Sequence, residues 1–260
     1  MTWNSIMGFV SSFALLAPII LILILRLGGY RSFPVLLFYY SSVLIYNLLT
    51  ENYINASQSV EYYWGLFNNI MDAPLMIIFL TYFSTSKAFT QKMKVLASVF
   101  VLFEIIVLVT IGLNIDAVTI TMGPGLLIVF ALCMYFFIRH AKLAIENRKA
   151  TGKAVIISSL LFGYGCYTII YLMYYIFKAH IGADGKVNEQ YMNDTFLIYF
   201  IAASLSSIIM CIGLTIERKR IQKLQELKVT RKELSTIYTE TKRAAPLRTA
   251  ILDFDRDQWN

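Results

Sequence analysis

The chain has 260 residues, of which 58% are hydrophobic and 15% charged, and its formal net charge is +7. A water-soluble domain is nearer about 45–50% apolar and about 25% charged, so one core in water cannot hide this much apolar surface. The excess must face lipid or a broad protein interface, which excludes an ordinary soluble enzyme or nucleic-acid-binding domain.

Seven segments each supply the roughly 20 mostly apolar residues needed to cross about 30 Å of hydrocarbon. They run over residues 5–26, 33–50, 63–83, 95–113, 118–138, 154–177 and 195–216. None shows the period-two alternation of a barrel strand, so all are expected to be helices. No Lys or Arg precedes the first run, which is therefore expected to be an uncleaved span and not a signal peptide. The second span is short and carries Tyr39, Ser42 and Tyr46 at helical spacing, with Asn47 adjacent. The stretch "NASQSVEYY" after it can extend either neighbour.

In the third span Trp64, Asn68 and Asp72 recur at i, i+4 and i+8 and so share one helix face, while Asn69 lies within reach of Asp72. Pro74 follows, and its ring removes a backbone donor and frees the carbonyl of Ile70. Glu104, near the middle of the fourth span, is flanked by apolar residues in "VLFEIIVLV". A central Asp costs about 2.5–3.5 kcal/mol on insertion scales, and no Lys or Arg sits at comparable depth. Each acid is then expected to be protonated, hydrogen-bonded or paired with a bound cation. An intramembrane acid is a functional-site candidate, although it can also serve only to hold helices in register.

"MGPGLL" (Met122–Leu127) is expected to break or bend the fifth span, and Gly163 and Gly165 mark the sixth as deformable. The sixth also carries Tyr164, Tyr167, Tyr171 and Tyr174 at i, i+3, i+7 and i+10. Such a stripe either packs or lines a pocket for a polar or cationic ligand. Ser204, Ser207 and Cys211 make a small polar stripe in the seventh. Cys133, Cys166 and Cys211 all lie in apolar runs, which gives no disulfide framework and no metal spacing.

From Glu217 to about Ala244 there is no Gly or Pro, so the last span is expected to continue as a helix until Pro246. Its imperfect apolar stripe of Ile221, Leu224, Leu227, Leu234 and Ile237 suits either partner docking or a basic helix on anionic headgroups. Residues 1–216 thus form a transmembrane domain and residues 217–260 a basic tail, with Arg218, Lys219, Arg220, Ile221, Leu224 and Leu227 as candidate docking residues.

Loops 1–2, 3–4 and 5–6 hold Arg26, Arg31, Lys87, Lys92, Lys94, Arg139, Lys142, Arg148, Lys149 and Lys153. With the tail, one side holds 21 of the 23 cations; the other holds Lys178 and Lys186, together with Glu51, Glu61, Asp116, Asp184, Glu189 and Asp194. The positive-inside rule therefore places the N-terminus outside and the C-terminus in the cytosol of a cell (inner) membrane.

No Gly-rich phosphate loop or His-Glu-x-x-His sequence occurs, and His140 and His180 fall on opposite sides, so no catalytic or metal residues are assigned. Asn55 and Asn193 fit a glycosylation pattern on the outer side. In outline the chain resembles microbial rhodopsins, with Asp72 at the depth of their counterion, but the seventh span has no Lys to carry retinal. It resembles G-protein-coupled receptors in topology but lacks the Asp/Glu-Arg-Tyr ending, the Asn-Pro-x-x-Tyr sequence and the outer cysteine pair. The seven-span sensor region of some bacterial histidine kinases is similar in that its last helix also runs into a cytosolic signalling helix. No catalytic domain follows here within the 260 residues.

The sequence points to an all-α, polytopic seven-transmembrane-helix bundle that senses or couples and is not an enzyme. Its expected ligand- or ion-binding residues are Asp72, Asn68, Asn69, Trp64, Glu104, Tyr46, Asn47, Tyr164, Tyr167 and Tyr171. The expected partners are the lipid bilayer, a cytosolic or membrane protein docking through 217–260, and a proton or small cation; no cofactor and no nucleic acid are implied. A proton- or cation-coupled transporter or channel, and a structural subunit of a larger complex, are the alternatives.

Overall fold

A computed structural model of the chain describes residues 3–51, 53–147, 150–179 and 189–240, all of them helices or their connections. Arg148, Lys149, His180, Asp184, Lys186 and everything after Glu240, Pro246 included, lie outside the described residues. So do the side chains of Tyr174, Lys178, Glu189, Asn193, Asp194, Leu234 and Ile237.

The helices are α1 (Trp3–Ile24), α2 (Phe33–Thr50), α3 (Gln58–Leu80), α4 (Lys87–Ile111), α5 (Ile115–Asn147), α6 (Thr151–Ala179) and α7 (Glu189–Glu240); a 3-10 turn, Thr81–Phe83, closes α3. Seven of them are long and apolar enough to cross a membrane. The chain divides into two compact units, Met1–Arg218 and Lys219–Asn260. The second is helical in its described part, 219–240.

Several helices outrun their apolar windows. Ser57 caps α3, its hydroxyl accepting from the Val60 amide at 3.4 Å, so the ambiguous "SQSVEYY" belongs to the third helix. Lys87, Lys92 and Lys94 lie on α4, Arg139 and Lys142 on α5 and Lys153 on α6, where the sequence reading had placed loops. Lys and Arg are good helix formers, and nothing stops the backbone ladder at the hydrocarbon boundary. The expected break at Met122–Leu127 is absent, because α5 runs unbroken through Pro124. Its two glycines instead admit neighbours. A Cβ on Gly123 would lie 2.9 Å from Tyr171 Cζ, and one on Gly125 would lie 2.9 Å from Ala73 Cβ and 3.0 Å from Phe100 Cζ.

α3 is the most buried span, with 56% of its apolar window inside the protein, against 22% for α4. α2, α4 and α5 pack on it, α1 packs on α2, and α6 packs on α5. α4 turns Val95, Val99, Leu102, Ile106 and Val109 outward, the last 81% exposed, as expected of a lipid-facing stripe.

Polar side chains and small residues join the helices, as they do in helix pairs built to pack without hydrophobic drive. Asn47 donates from Nδ2 to Ser12 Oγ at 2.9 Å and Ser11 Oγ at 3.1 Å, which fastens α2 to α1. Ser159 Oγ donates to the Ser206 carbonyl at 2.8 Å and Ser206 Oγ to the Ser159 carbonyl at 3.0 Å, a reciprocal clasp between α6 and α7. Gly213 sets the same pair closer, since a Cβ there would meet the backbone nitrogen of Ile156 at 2.9 Å.

Candidate functional site: a carboxyl among tyrosines

Asp72 sits on α3, midway between its capped start and the 3-10 turn. Tyr164 Oη on α6 donates to Asp72 Oδ1 at 2.7 Å, and the Tyr39 ring on α2 lies within electrostatic range of the same carboxyl. The Tyr164 ring lies edge-on to Tyr167 at 6.1 Å, and Tyr167 stacks on Tyr199 of α7 at 5.4 Å between centroids. Tyr167 and Tyr199 both lie within electrostatic range of Asp72. Side chains from α2, α3, α6 and α7 thus converge on one acid.

A cavity of about 20 Å³ opens beside this cluster, walled in part by Tyr39, Tyr40, Tyr164, Tyr167, Ser206 and Ser207. That volume holds about one water. It is too small for an organic ligand without rearrangement.

Glu104 on α4 is 3% exposed, and its Oε2 is buried with no hydrogen-bond partner among the described residues. It lies within electrostatic range of Asp72. Asp72, Tyr164 and Tyr167 are therefore brought together, and Glu104 lies within electrostatic range of the same carboxyl.

The other expected members are not. Asn47 is taken by the α1 serines. Tyr171 donates to the Thr119 carbonyl on α5 at 3.0 Å. Trp64 Nε1 donates to the Ser42 carbonyl at 3.2 Å, and Tyr46 lies over Gly65. Asn68 and Asn69 are half-buried and make no side-chain hydrogen bond among the described residues. A shared helix face put Trp64, Asn68 and Asp72 on one side of α3, yet Trp64 finds its partner in the Ser42 carbonyl of α2.

Tyr199 was not singled out from the sequence. Its i+7 spacing to Ser206 places it on the face of α7 that meets α6, and that is the signal that marks it.

A second polar cluster lies where the α1–α2, α3–α4 and α5–α6 connections gather at one end of the bundle. Tyr82 Oη donates to Glu217 Oε1 of α7. Lys153 Nζ reaches the Tyr82 carbonyl at 3.5 Å and lies 4.6 Å from the centre of its ring. The Arg31 guanidinium sits 6.0 Å from the same ring. His140 Nε2 meets the Phe83 carbonyl at 3.0 Å, and because a carbonyl only accepts, this nitrogen carries the hydrogen. The sequence placed Lys153 in the 5–6 loop and Glu217 at the start of the tail, yet both, and His140, are at least nine-tenths buried. At the opposite end Glu51 packs against Gly8, and partial burial raises its carboxyl above the usual carboxylate range.

Of the candidate docking residues on α7, Ile221 is buried, Leu224 half-buried and Leu227 64% exposed. Lys219 is exposed, and Arg218 and Arg220 are partly so.

No protein-family model, no curated protein and no solved structure matches this chain.

Replacing Tyr164 by Phe leaves Asp72 short of a donor and is expected to destabilise the folded protein by about 1–3 kcal/mol, the range for bonds to charged groups. Tyr135→Phe, at an exposed ring, is expected to change it by less than about 0.5 kcal/mol. Unfolding in detergent measures both, and equal effects contradict the role given to Tyr164.

Proposed function

We propose that this chain is an integral protein of the cell (inner) membrane, N-terminus outside and C-terminus in the cytosol, that senses or couples and does not catalyse. The state of the Asp72 site biases α7, and the helical segment after Arg218 engages a cytosolic or membrane partner. One observation carries the reading: the tyrosine network on Asp72 ends on Tyr199 of α7, the helix that continues to Glu240. Helix α7 is also held by the Ser159–Ser206 clasp and by Tyr82 on Glu217, so it has discrete contacts to make or break.

The orientation is supported by the cations. Arg31, Arg139 and Lys153, from three separate connections, all lie around Tyr82, Phe83 and Thr85 at one end of the bundle. A membrane-impermeant maleimide is expected to label Ala56→Cys on intact cells, and Ser86→Cys only after the cells are opened. Labelling in the opposite order reverses the orientation.

Partner engagement is tested by capture from detergent, comparing the full chain with one ending at Arg218, which keeps Glu217 on Tyr82. The full chain is expected to recover a partner that the shortened chain loses. Recovery of the same partners by both, or of none by either, contradicts the reading.

A proton- or cation-coupled transporter is the second reading, favoured by a second buried acid, Glu104, within electrostatic range of Asp72 and by the water-sized cavity. It predicts cation flux in proteoliposomes that Asp72→Asn abolishes. Unaltered flux in that variant removes Asp72 from such a mechanism.

A further inference from the structure

We propose that Glu217 is the fulcrum of α7: the bundle pins the helix there, and a change at the Asp72 site swings the rest of α7 about that point. The inference rests on the reading that Asp72 biases α7 and says how the helix moves.

The pin is set in a fixed hub. Tyr82 lies in the 3-10 turn that closes α3 and is 3% exposed, and its hydroxyl donates to the fully enclosed Glu217 carboxyl. Other elements grip the same turn. Phe33 of α2 stands edge-on to the Tyr82 ring at 5.0 Å, and Ser32 Oγ shares a hydrogen bond with Thr81 Oγ1 at 3.2 Å. His140 of α5 meets the Phe83 carbonyl at 3.0 Å, and Lys153 of α6 reaches the Tyr82 carbonyl at 3.5 Å. Helices α2, α5 and α6 thus hold the turn independently of α7. A buried carboxyl that leaves its donor bears the full cost of desolvation, so Glu217 stays where Tyr82 is.

Backbone contact supplies the second constraint. A Cβ on Gly152 of α6 would lie 2.7 Å from the Glu217 backbone nitrogen, and one on Gly213 of α7 would lie 2.9 Å from that of Ile156. At this end α6 and α7 meet backbone to backbone, and no side chain can turn to make room. Farther back along α7 the contacts with α6 change in kind. Ser206 is met by the Ser159 hydroxyl at 2.8 Å, and Tyr199 stacks on Tyr167 at 5.4 Å between centroids. Hydroxyls rotate to new partners and stacked rings slide, which leaves this part of the helix free to shift.

Position completes the argument. Tyr199, the member of the Asp72 network on α7, lies eighteen residues before Glu217, about 27 Å along a helix. No proline interrupts α7 between them. Glu217 stands one residue before the end of the first compact unit, Met1–Arg218, and α7 runs on to Glu240. A change at Tyr199 therefore acts on a long arm whose pin sits where the unit ends.

The test is pulsed electron resonance on the full chain in detergent, with the native cysteines replaced. Labels at Ile201→Cys and Ile212→Cys on α7 are each paired with a reference at Ile78→Cys on α3 and, separately, at Leu102→Cys on α4; all four positions are exposed. Ile201 lies sixteen residues from Glu217 and Ile212 five, so a swing about Glu217 predicts that Asp72→Asn displaces Ile201 about threefold more than Ile212. Tyr82→Phe removes the bond and keeps the ring, and Gly152→Ala sets a methyl against the Glu217 backbone. Each is expected to abolish the difference between the two positions. Equal displacement at both, or a larger one at Ile212, overturns the fulcrum and leaves the coupling of Asp72 to α7 standing. An undiminished difference in whichever of the two variants folds also overturns it. No displacement at either position strikes the coupling itself, and the fulcrum with it.

Discussion

The hydrogen bond from Tyr164 to Asp72 is the contact on which the polar interior depends. A carboxyl in the middle of an apolar helix is expensive to place, and hydrocarbon supplies no water to offset it. The chain meets that demand with the hydroxyl of Tyr164 on α6, and brings Tyr39 of α2 within electrostatic range. The Tyr164 hydroxyl fixes the rotation of α6, because a turn of a few tens of degrees carries it out of reach. Tyr167 and Tyr199 then follow as the next layer and draw in α7.

Close approach makes this reach possible. Gly213 lets α7 touch the backbone of α6 at Ile156, and Gly125 lets α3 and α4 meet over α5. These small residues serve where larger ones would hold the helices apart, and the inter-helix serines supply the bonds that hydrophobic burial cannot provide inside a bilayer. Gly123 and Gly125 looked like helix breakers in "MGPGLL", yet their role is spatial. A helix whose neighbours shield its backbone tolerates Pro124 without ending.

The sequence was most informative where one dimension suffices. Span number and approximate position follow from apolar run length, and every span is matched by a helix. Asp72 and Glu104 stood out because charge in an apolar run is conspicuous without any knowledge of packing. What failed was assignment across helices. Asn47 and Tyr171 had the right chemistry and depth, but Ser11, Ser12 and the Thr119 carbonyl were closer. Helical spacing shows which residues share a face and says nothing of how seven faces are rotated toward one another. The Tyr82–Glu217–Lys153 cluster was missed for a related reason: charges at span ends serve to orient the chain, and only packing reveals that these two are enclosed.

The central claim is that the state of Asp72 is felt by α7. Pulsed electron resonance between spin labels at Ile78→Cys on α3 and Ile212→Cys on α7, both exposed, with the three native cysteines replaced, tests it most directly. Coupling predicts that Asp72→Asn shifts the distance distribution between the two labels. Superimposable distributions in the presence and absence of the Asp72 carboxylate contradict it.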